Sequence, residues 1–563
     1  MFSSPHPPSP VSSLDLLTYV FGTDESRDLE EPVRLPIPIL SSRVGLTGVP
    51  QVYISPECPE QEHISKKEAR GLIKRLAKGL KVAGLQHGDT ICLYSNNSIY
   101  YPIISLAAVA AGGVWTGMNP GLSYEERLRH LNNSSAKFLF CSPDLAQSAS
   151  GTAEACGLDG SRVFSITSLS VTSQPSNSWI NLLSHGMSNW EAFNDEHRAK
   201  TTTACLYPTS GTSGLPKLAM ITHYNLVAAE TLVNGIEQRQ YPVRQIMNWP
   251  MFHLASLLWS HITPLRAGWT AYIPSKFQPA KFLDYVQRFQ ITDTGMAPAM
   301  MIGVLRSTVP TVDKKRMLST LRSGMCGSAP VGSELQSQWR ELIPSHCPWT
   351  CAYGMTELTG VVTKSYYPSD DMTGSIGELI PNTEARLIGE DGTEIKSPGQ
   401  PGELLLRGPT VFKGYHQNET ATKEAFHRDG FLLTGDVAYL DEKSQKWFIL
   451  DRKKELIKVR GCQVAPVELE GVLLSHPGVA EAAVVGVTGP DGAECPRAYV
   501  VRSSQLRVTG EELARYLGAK LSSYKRLTGG VYFLEALPRN GSGKVLKRQL
   551  REEAACRKTD SRL

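Results

Sequence analysis

Several features that place proteins in special classes are missing from this sequence of 563 residues. No apolar run reaches the roughly 20 residues that span a bilayer. The longest run, Pro102–Trp115, contains two glycines and predicts a buried helix. The 11 cysteines are odd in number and include no C-x-x-C pair, which disfavours a disulfide framework and a structural zinc site. Met1–Pro10 has no basic or apolar part of a secretory signal. We therefore expect no membrane insertion and a reducing, intracellular compartment.

A large excess of one charge is also missing, since the formal net charge is only +4. This is too small for the basic surface of a nucleic-acid-binding protein, so no nucleic-acid partner is expected. The charge is unevenly placed: from Asp451 onward there are 20 Lys plus Arg against 13 Asp plus Glu. Either a polyanionic substrate held against this part or an ordinary solvated basic face explains the asymmetry.

Length and composition predict a globular protein of two or three domains, with 41% hydrophobic and 20% charged residues. Helix and strand patterns alternate along the chain, which indicates an α/β fold. Ser65–Leu85 predicts a helix followed by a strand at Thr90–Tyr94, and the helix Tyr124–Leu131 is followed by a strand at Lys137–Cys141. The stretch Val171–Ser188 is rich in Ser and Asn and predicts a loop.

The pattern changes near Gly374, where Gly and Pro separate short apolar runs such as Gly402–Leu406 and Trp447–Leu450 and predict a small β-rich subdomain. About 100 residues remain after Asp451–Lys454, the size of an independent domain. Predicted elements within them are a helix at Pro466–Ser475, a strand at Ala480–Val487 and a helix at Thr509–Leu521.

The strongest local motif is Tyr207-Pro-Thr-Ser-Gly-Thr-Ser-Gly-Leu-Pro-Lys217, a loop rich in glycine and hydroxyl groups. Its backbone N–H groups can cradle phosphate oxygens, the Ser and Thr hydroxyls can donate further hydrogen bonds, and Lys217 adds positive charge. It is not a Walker A loop, because G-x-x-x-x-G-K-[ST] does not occur in the chain. An ordinary Ser/Gly turn is a poor explanation for a motif as long as Tyr207 to Lys217.

With this loop, the sequence resembles the adenylate-forming (AMP-binding) enzymes, which include acyl-CoA synthetases, 4-coumarate-CoA ligases, luciferases and peptide-synthetase adenylation domains. Further motifs follow in the family's order: Cys351-Ala-Tyr-Gly-Met-Thr-Glu357, Phe431-Leu-Leu-Thr-Gly-Asp436, Asp451-Arg-Lys-Lys-Glu-Leu-Ile-Lys458 with Gly461–Pro466, and Pro538-Arg-Asn-Gly-Ser-Gly-Lys544. The match spans about Lys66 to Leu550. An N-terminal segment, Leu14–Gly22, resembles that of fungal peroxisomal acyl-CoA ligases.

The resemblance implies an α/β fold with a large, multi-subdomain N-terminal domain, comprising α/β sheets and a small β subdomain, and a smaller mobile α+β C-terminal domain. We place the AMP-binding domain at residues 1–450, a hinge at 451–454 and the C-terminal domain at 455–563.

The same resemblance implies the nucleotide site. Residues implied in ATP or AMP binding are Thr209, Ser210, Gly211, Thr212, Ser213, Gly214, Lys217, Gly327, Ser328, Ala329, Tyr353, Gly354, Thr356, Asp436, Arg452 and Lys544. Asp436 suits the ribose hydroxyls because a carboxylate accepts two hydrogen bonds. Glu357 is the implied metal ligand, since its carboxylate is a hard oxygen ligand suited to Mg²⁺.

Four residues are implied in catalysis: Lys544, Lys458, His253 and Thr212. The substrate carboxylate is ionised at pH 7, so its attack on the α-phosphorus needs charge neutralisation rather than a general base, and Lys544 is the lysine implied for that task. Rotation of the C-terminal domain about the hinge is then expected to present Lys458 for thioester formation. His253 is expected at the mouth of the acyl pocket.

The resemblance also implies the other substrate sites. Residues implied in CoA binding are Lys276, Lys454, Arg460 and Gly461. Expected walls of the acyl pocket are His253, Leu254, Ala255, Trp259, Ala352 and Val361. Ala255 stands where aryl-specific relatives often carry Tyr, and Cys351-Ala352 replaces the usual Gln-Gly, which disfavours a hydroxycinnamate-type acid.

The function implied is an ATP-dependent acyl-CoA ligase that uses ATP, Mg²⁺ and coenzyme A and acts on a small carboxylic acid, in a natural-product pathway. Three alternatives stay open on sequence grounds: an acyl-AMP ligase that delivers to a carrier protein, a luciferase-like oxygenase, and a non-catalytic acyl-nucleotide-binding homologue. No insertion separates Trp447 from the hinge, and the lysine-rich strand is present, which favours CoA.

The last three residues, Ser561-Arg562-Leu563, differ from the peroxisomal address S-K-L by one basic exchange. We therefore expect a peroxisomal protein that binds the import receptor, and a cytoplasmic one if this address is not used.

Overall fold

The computed structural model describes residues 1–22, 49–209, 216–329, 331–459, 462–489, 494–503, 506–539 and 545–560. Within these ranges the strands form five sheets, three of which precede the predicted hinge. No helix in the described ranges combines the length and apolar character needed to cross a membrane.

A seven-stranded sheet forms the first layer, and its central strands are parallel with helices between them. Its strands in spatial order are Gly414–Tyr415, Lys217–Thr222, Thr203–Thr209, Val114–Met118, Thr90–Tyr94, Ala136–Cys141 and Val163–Ser165. Such parallel strands are buried on both faces, which explains why Thr90–Tyr94 and Val114–Met118 are buried at every position.

A nine-stranded sheet carries most of the motif residues. Its strands in spatial order are Glu378–Leu379, Gly360–Lys364, Trp349–Met355, Ser323–Cys326, Asp293–Met296, Arg244–Ile246, Thr270–Tyr272, Gln51–Ile54 and His63–Ser65. The strands from Trp349–Met355 to Gln51–Ile54 are parallel, so their carboxyl ends meet at one edge. One large apolar core includes residues of both sheets, such as Tyr53 of this sheet and Trp115 of the seven-stranded one.

The third sheet is antiparallel and joins the start of the chain to the segment before the hinge. Its strands are Phe2–Ser3, Glu384–Ile388, Gly402–Arg407, Leu432–Leu440 and Trp447–Arg452, with Glu394–Ile395 paired to Glu384–Ile388. Beyond it lie a hairpin of Ile457–Val459 and Cys462–Val464 and a sheet of Val479–Thr488, Glu494–Arg502 and Val531–Phe533. A separate apolar cluster, which begins at Ile457, packs these last elements together.

The helices cover the sheets and begin at recognisable caps; Ser65 and Glu68, for example, form a capping box at the start of one of them. The α-helices are Leu16–Phe21, Lys66–Val82, Tyr101–Ala110, Tyr124–Ser134, Ala146–Ala155, Glu196–Thr201, His223–Glu230, Thr263–Ala267, Pro279–Phe289, Pro298–Arg306, Thr311–Met317, Ser333–Arg340, Glu419–Ala425, Pro466–Leu474, Gly510–Lys520 and Lys547–Asp560. The shorter 3₁₀ or π turns include Trp179–His185, Thr231–Gly235, Leu254–Ser256, Leu258–Ile262 and Thr356–Leu358.

The α/β class and the pattern of a large and a small part are confirmed. Two local predictions were wrong. The run Pro102–Trp115 is not one helix, because the helix ends at Ala110 and Gly112, at φ +88°, turns the chain into the strand Val114–Met118. The predicted loop Val171–Ser188 contains the 3₁₀ helix Trp179–His185, held by the burial of Trp179 and Leu183. The boundaries of the domains at 450 and 455 stay a prediction.

Candidate active site

The Ser/Gly-rich loop is closed by two neighbouring antiparallel strands. Thr209, at the end of one strand, lies opposite Lys217, at the start of the next. Thr209 is buried, and its hydroxyl has no hydrogen-bond partner in the described part of the chain. The predicted residues Ser210, Gly211, Thr212, Ser213 and Gly214 lie outside the described residues. The structure therefore places both ends of the predicted phosphate loop side by side.

Glu357, the predicted metal ligand, is buried in the 3₁₀ turn Thr356–Leu358. The Tyr415 hydroxyl donates a hydrogen bond to Glu357 Oε1 at 2.8 Å, and Lys217 Nζ lies 4.9 Å from the centre of the same tyrosine ring. Burial raises the pKa of Glu357, although the nearby charges of Arg452 and Lys217 act in the opposite direction. The structure thus brings the phosphate-loop lysine and the candidate metal ligand to one tyrosine.

Sequence reasoning missed Tyr415. It lies 58 residues from Glu357 along the chain, so no local pattern links the two. The contact arises because the short strand Gly414–Tyr415 pairs with the strand Lys217–Thr222 at the edge of the seven-stranded sheet, and nothing in the sequence signalled that pairing.

Asp436, predicted to bind ribose, is buried in the middle of strand Leu432–Leu440. The Tyr353 hydroxyl donates to Asp436 Oδ2 at 2.6 Å, and Arg452 Nε lies 3.3 Å from Asp436 Oδ1. Burial and the adjacent Asp436 carboxylate raise the pKa of Tyr353, so its hydroxyl keeps the proton that it donates. Burial lowers the pKa of Arg452, but the summed charges of Asp436 and its other acidic neighbours outweigh burial, and the pKa of Arg452 is raised. Three residues from three different motifs therefore form one connected group.

Two segments of the predicted nucleotide site, 327–329 and 353–354, lie at the carboxyl ends of two adjacent parallel strands, Ser323–Cys326 and Trp349–Met355. Gly327, Ser328 and Ala329 follow the first strand, and Ser328 has φ +74°. Gly354 lies at a register shift in the second strand, where a Cβ would meet the Gly360 carbonyl oxygen at 1.7 Å. Only glycine fits there, which explains the Tyr-Gly pair of the motif. Thr356 begins the turn that carries Glu357.

The predicted acyl-pocket residues come from two regions that contact each other. Leu254 and Ala255 form the 3₁₀ turn Leu254–Ser256, and Leu254 Cδ2 lies 3.7 Å from the position of a Cβ on Gly360. Gly360 precedes Val361 in the strand that pairs with Trp349–Met355, which carries Ala352. His253 Nδ1 accepts the Ala255 N–H at 3.2 Å, so this side chain caps the turn. This hydrogen bond gives His253 a structural role as the cap of the turn. Its catalytic role stays a prediction.

The predicted CoA contacts are less closely grouped. Lys276 is exposed in the turn before the helix Pro279–Phe289, and Lys454 is exposed in the predicted hinge. Lys458 is exposed in the hairpin beyond the hinge, where its Nζ lies 3.2 Å from Glu390 Oε1. Arg460, Gly461 and Lys544 lie outside the described residues, as do Ser561, Arg562 and Leu563.

A buried charged cluster, which sequence reasoning also missed, lies at the opposite edge of the nine-stranded sheet, where its parallel strands begin. Glu237 pairs with Lys364 at 2.8 Å and with Arg239 at 3.0 Å, and Arg239 Nε lies 3.2 Å from Asp293 Oδ1. Tyr241 donates to the same Asp293 oxygen at 3.3 Å. Four of these residues, Glu237, Arg239, Asp293 and Lys364, form what we call the distal cluster. They line a cavity together with residues that include Trp249, Trp259, Met325 and Thr350. The isolated charges gave no sequence signal, because strand pairing alone brings them together.

Comparison with known proteins agrees with this geometry. Residues 50–416 match the AMP-binding enzyme family, and residues 468–544 match the AMP-binding enzyme C-terminal domain. The chain is 41% identical to a phenylacetyl-CoA ligase of Aspergillus niger over 87% of this chain and 91% of that protein.

Two solved structures share the fold. ATP-bound MatB from Rhodopseudomonas palustris has a TM-score of 0.77 at 28% identity and covers 90% of this chain and 95% of its own. The o-succinylbenzoate-CoA synthetase of Bacillus subtilis in complex with its acyl-adenylate has a TM-score of 0.74 at 27% identity, over 90% of this chain and 96% of its own.

Proposed function

The chain belongs to the AMP-binding enzyme family, and on that basis we propose that it is an ATP-dependent acyl-CoA ligase acting on a small carboxylic acid. The observation that carries the proposal is the joining of separate motifs at one edge of the nine-stranded sheet. Asp436, Tyr353 and Arg452 form one hydrogen-bonded and ion-paired group, and Glu357 and Lys217 meet at Tyr415. The ligase activity of similar proteins supports the same conclusion.

The reaction has two steps. The acid's carboxylate oxygen attacks the α-phosphorus of ATP, the bond to the bridging oxygen breaks, and pyrophosphate leaves with its electron pair. The CoA thiol then attacks the acyl carbon, its proton passes to solvent, and AMP leaves as the thioester forms. The acid needs no activation because it is ionised at pH 7, and the sulfur of a thiol is intrinsically nucleophilic. What the protein must supply is alignment and charge neutralisation.

The residues at the carboxyl edge fit these needs. Asp436 can accept from the ribose hydroxyls while Tyr353 and Arg452 hold its carboxylate in place. Lys217, at the end of the phosphate loop, adds positive charge beside the triphosphate. The carboxyl ends of parallel strands are the usual ligand-binding edge of such sheets.

Mg²⁺ fits the same edge. Among the described residues there is no group of three or more His, Cys, Asp or Glu side chains able to hold a metal ion alone. Mg²⁺ does not need such a group, because it usually binds through one or two carboxylates plus substrate phosphates. Glu357 is a buried carboxylate with a raised pKa, so a cation beside it would offset the cost of its charge. When bound, the ion would neutralise charge on the phosphoryl oxygens.

For the C-terminal domain we propose the rotation that the motifs imply, with Lys544 serving adenylate formation and Lys458 serving thioester formation. The exposed position of Lys458, paired with Glu390 on the surface, supports a role in another arrangement of the domain. We further propose peroxisomal import through Ser561-Arg562-Leu563 and a place in a natural-product pathway.

The test is an assay of both half-reactions with a panel of carboxylic acids. Pyrophosphate release that depends on ATP, Mg²⁺ and an acid, followed by CoA-dependent loss of the adenylate, is the expected result. Pyrophosphate release without acyl-CoA formation would indicate that the acyl group goes to another acceptor, and it would contradict the CoA step. No pyrophosphate with any acid would contradict the proposal as a whole.

A further inference from the structure

Apart from Arg239 Nη1, which is ion-paired with Glu237 at 3.0 Å, three buried polar atoms of the residues that line the cavity have no hydrogen-bond partner in the described part of the chain. They are Asp293 Oδ2, Ser365 Oγ and Trp249 Nε1. The three residues are buried, with relative exposures of 7%, 7% and 6%. A buried polar atom that lacks a partner is energetically costly, so three around one cavity indicate an occupant that satisfies them.

The size of the cavity limits that occupant. Its volume is about 60 Å³. That exceeds the roughly 10–15 Å³ that one water needs but is far below the roughly 300 Å³ of a pocket for a whole small molecule. The cavity can therefore take a functional group of a larger ligand.

The strand register gives the distance along the sheet between the cavity and the adenylate edge. Asp293 pairs with Ser323, Gly295 with Met325, and Met325 with Thr350, so these residues form successive rows across the sheet. Residues two apart in a strand share a face, which places Ala352 of the predicted acyl pocket one row above Thr350. Four residues separate the Asp293 row from the Ala352 row, or about 13 Å at ~3.3 Å per residue. Trp259 belongs both to the predicted acyl pocket and to the cavity wall.

The three unpartnered atoms specify the chemistry of the group. The second oxygen of Asp293 can only accept a hydrogen bond when ionised, Trp249 Nε1 can only donate, and the Ser365 hydroxyl can do either. A hydroxyl group donates one hydrogen bond and accepts two, so its donor and acceptor positions match these three atoms in number and type. An unsubstituted apolar end would leave them unpaired.

We propose that the acid activated by this protein carries a hydroxyl group at its distal end, bound in the cavity by Asp293, Ser365 and Trp249. The inference rests on the proposed ligase function and adds the substrate class to it. A site built to bind a hydroxyl rejects the analogue that lacks it, because the site's own polar groups stay unpaired.

The probes are ω-hydroxy carboxylic acids of increasing chain length, the unsubstituted acids of equal length, and the methyl ethers. At the length that fits, kcat/KM for the hydroxy acid should exceed that for the unsubstituted acid by about 10- to 100-fold. Ser365→Ala should lower this ratio by about tenfold. Asp293→Asn keeps an oxygen for Arg239 but turns an N–H₂ donor towards the cavity, so it should favour the methyl ether over the hydroxy acid.

Thr363→Val is the matched control. Thr363 lies two residues before Ser365, is fully buried, and its hydroxyl also has no hydrogen-bond partner in the described ranges, but it does not line the cavity. This variant should leave the ratio unchanged. Equal kcat/KM for hydroxy and unsubstituted acids at every length, or a ratio that Ser365→Ala does not move, would overturn the subsite and leave the cavity to buried water. If no acid releases pyrophosphate, the ligase function itself fails and the subsite with it.

Discussion

The Tyr353 hydroxyl and the Asp436 carboxylate are 83 residues apart in the chain and share a 2.6 Å hydrogen bond. The bond orients Asp436 before the nucleotide arrives, which leaves less ordering to be done on binding. Asp436→Asn should lower kcat/KM for ATP by about 10- to 100-fold, the equivalent of a roughly 1.5–3 kcal/mol hydrogen bond to a charged group. Tyr353→Phe should have a smaller effect, since the acceptor stays.

The measurement is the initial rate of pyrophosphate release against ATP concentration. Asp441→Asn is the control, because Asp441 lies just beyond the same strand in an exposed turn, where it accepts from Ser444. Equal losses in the two aspartate variants would show that Asp436 matters for folding rather than for ATP.

The two C-terminal lysines should act on different half-reactions. Lys544→Ala should slow pyrophosphate exchange by about 10²- to 10³-fold and still convert a supplied acyl-adenylate to acyl-CoA. Lys458→Ala should show the reverse. Arg548→Ala, which removes an exposed cation paired with Glu552 along the last helix, should change neither rate. Loss of the same half-reaction in both lysine variants would rule out the proposed rotation.

The predicted hinge should be a site of ligand-dependent cleavage. Lys453 and Lys454 are exposed, whereas Asp451 just before them is buried, with a pKa raised by burial to about 6. Trypsin should cut after these lysines in the free protein and more slowly once the acyl-adenylate has formed, as followed by fragment mass. A K453Q/K454Q variant identifies the site by losing those fragments. Identical rates with and without ligand would contradict a ligand-coupled hinge.

Stability should fall as the pH drops below neutral, partly through buried histidines. Burial lowers the pKa of His130 to about 4 and that of His261 to about 3, against an ordinary value of 6.5. Between these values the unfolded chain binds protons that the folded chain does not, so the free energy of unfolding decreases as the pH falls from 6.5. Each histidine should account for about 1 kcal/mol between pH 7 and 5.5.

Urea unfolding at the two pH values measures this change. His130→Gln should flatten the pH dependence by one histidine's share, whereas His346→Gln, at an exposed position, should not. An unchanged slope in the His130 variant would mean that His130 takes up its proton equally in both states.

Removal of Ser561–Leu563 should disperse the protein into the cytosol without loss of ligase activity. Fluorescence microscopy of full-length and shortened chains in a fungal cell measures the distribution, and the purified shortened chain gives the activity. Peroxisomal signal that survives the deletion would contradict the proposed address.

The motifs and their order predicted most of the site residues, whereas contacts between distant segments could not be predicted from the sequence. Asp436 and Glu357 were identifiable because T-G-D and Y-G-M-T-E are specific strings. Tyr415 and the pairing of Asp293 with Arg239 were not, because each contact depends on strand pairing in a completed sheet. The helix at Trp179–His185 was missed for a related reason: polar composition predicted a loop, but one buried tryptophan decided the structure.

The backbone contact between Gly354 and Gly360 has a kinetic consequence. One strand carries Tyr353, which is hydrogen-bonded to Asp436 of the proposed nucleotide site, and its partner carries Val361 and leads to Ser365. A shift of one strand would therefore move the other. An acid that fills its pocket poorly should therefore also raise the KM for ATP, and the two substrates should show binding synergy instead of independent affinities. Variants selected for new acids would then need to be ranked at saturating nucleotide, because at limiting ATP a gain in acid recognition could be masked by weaker nucleotide binding.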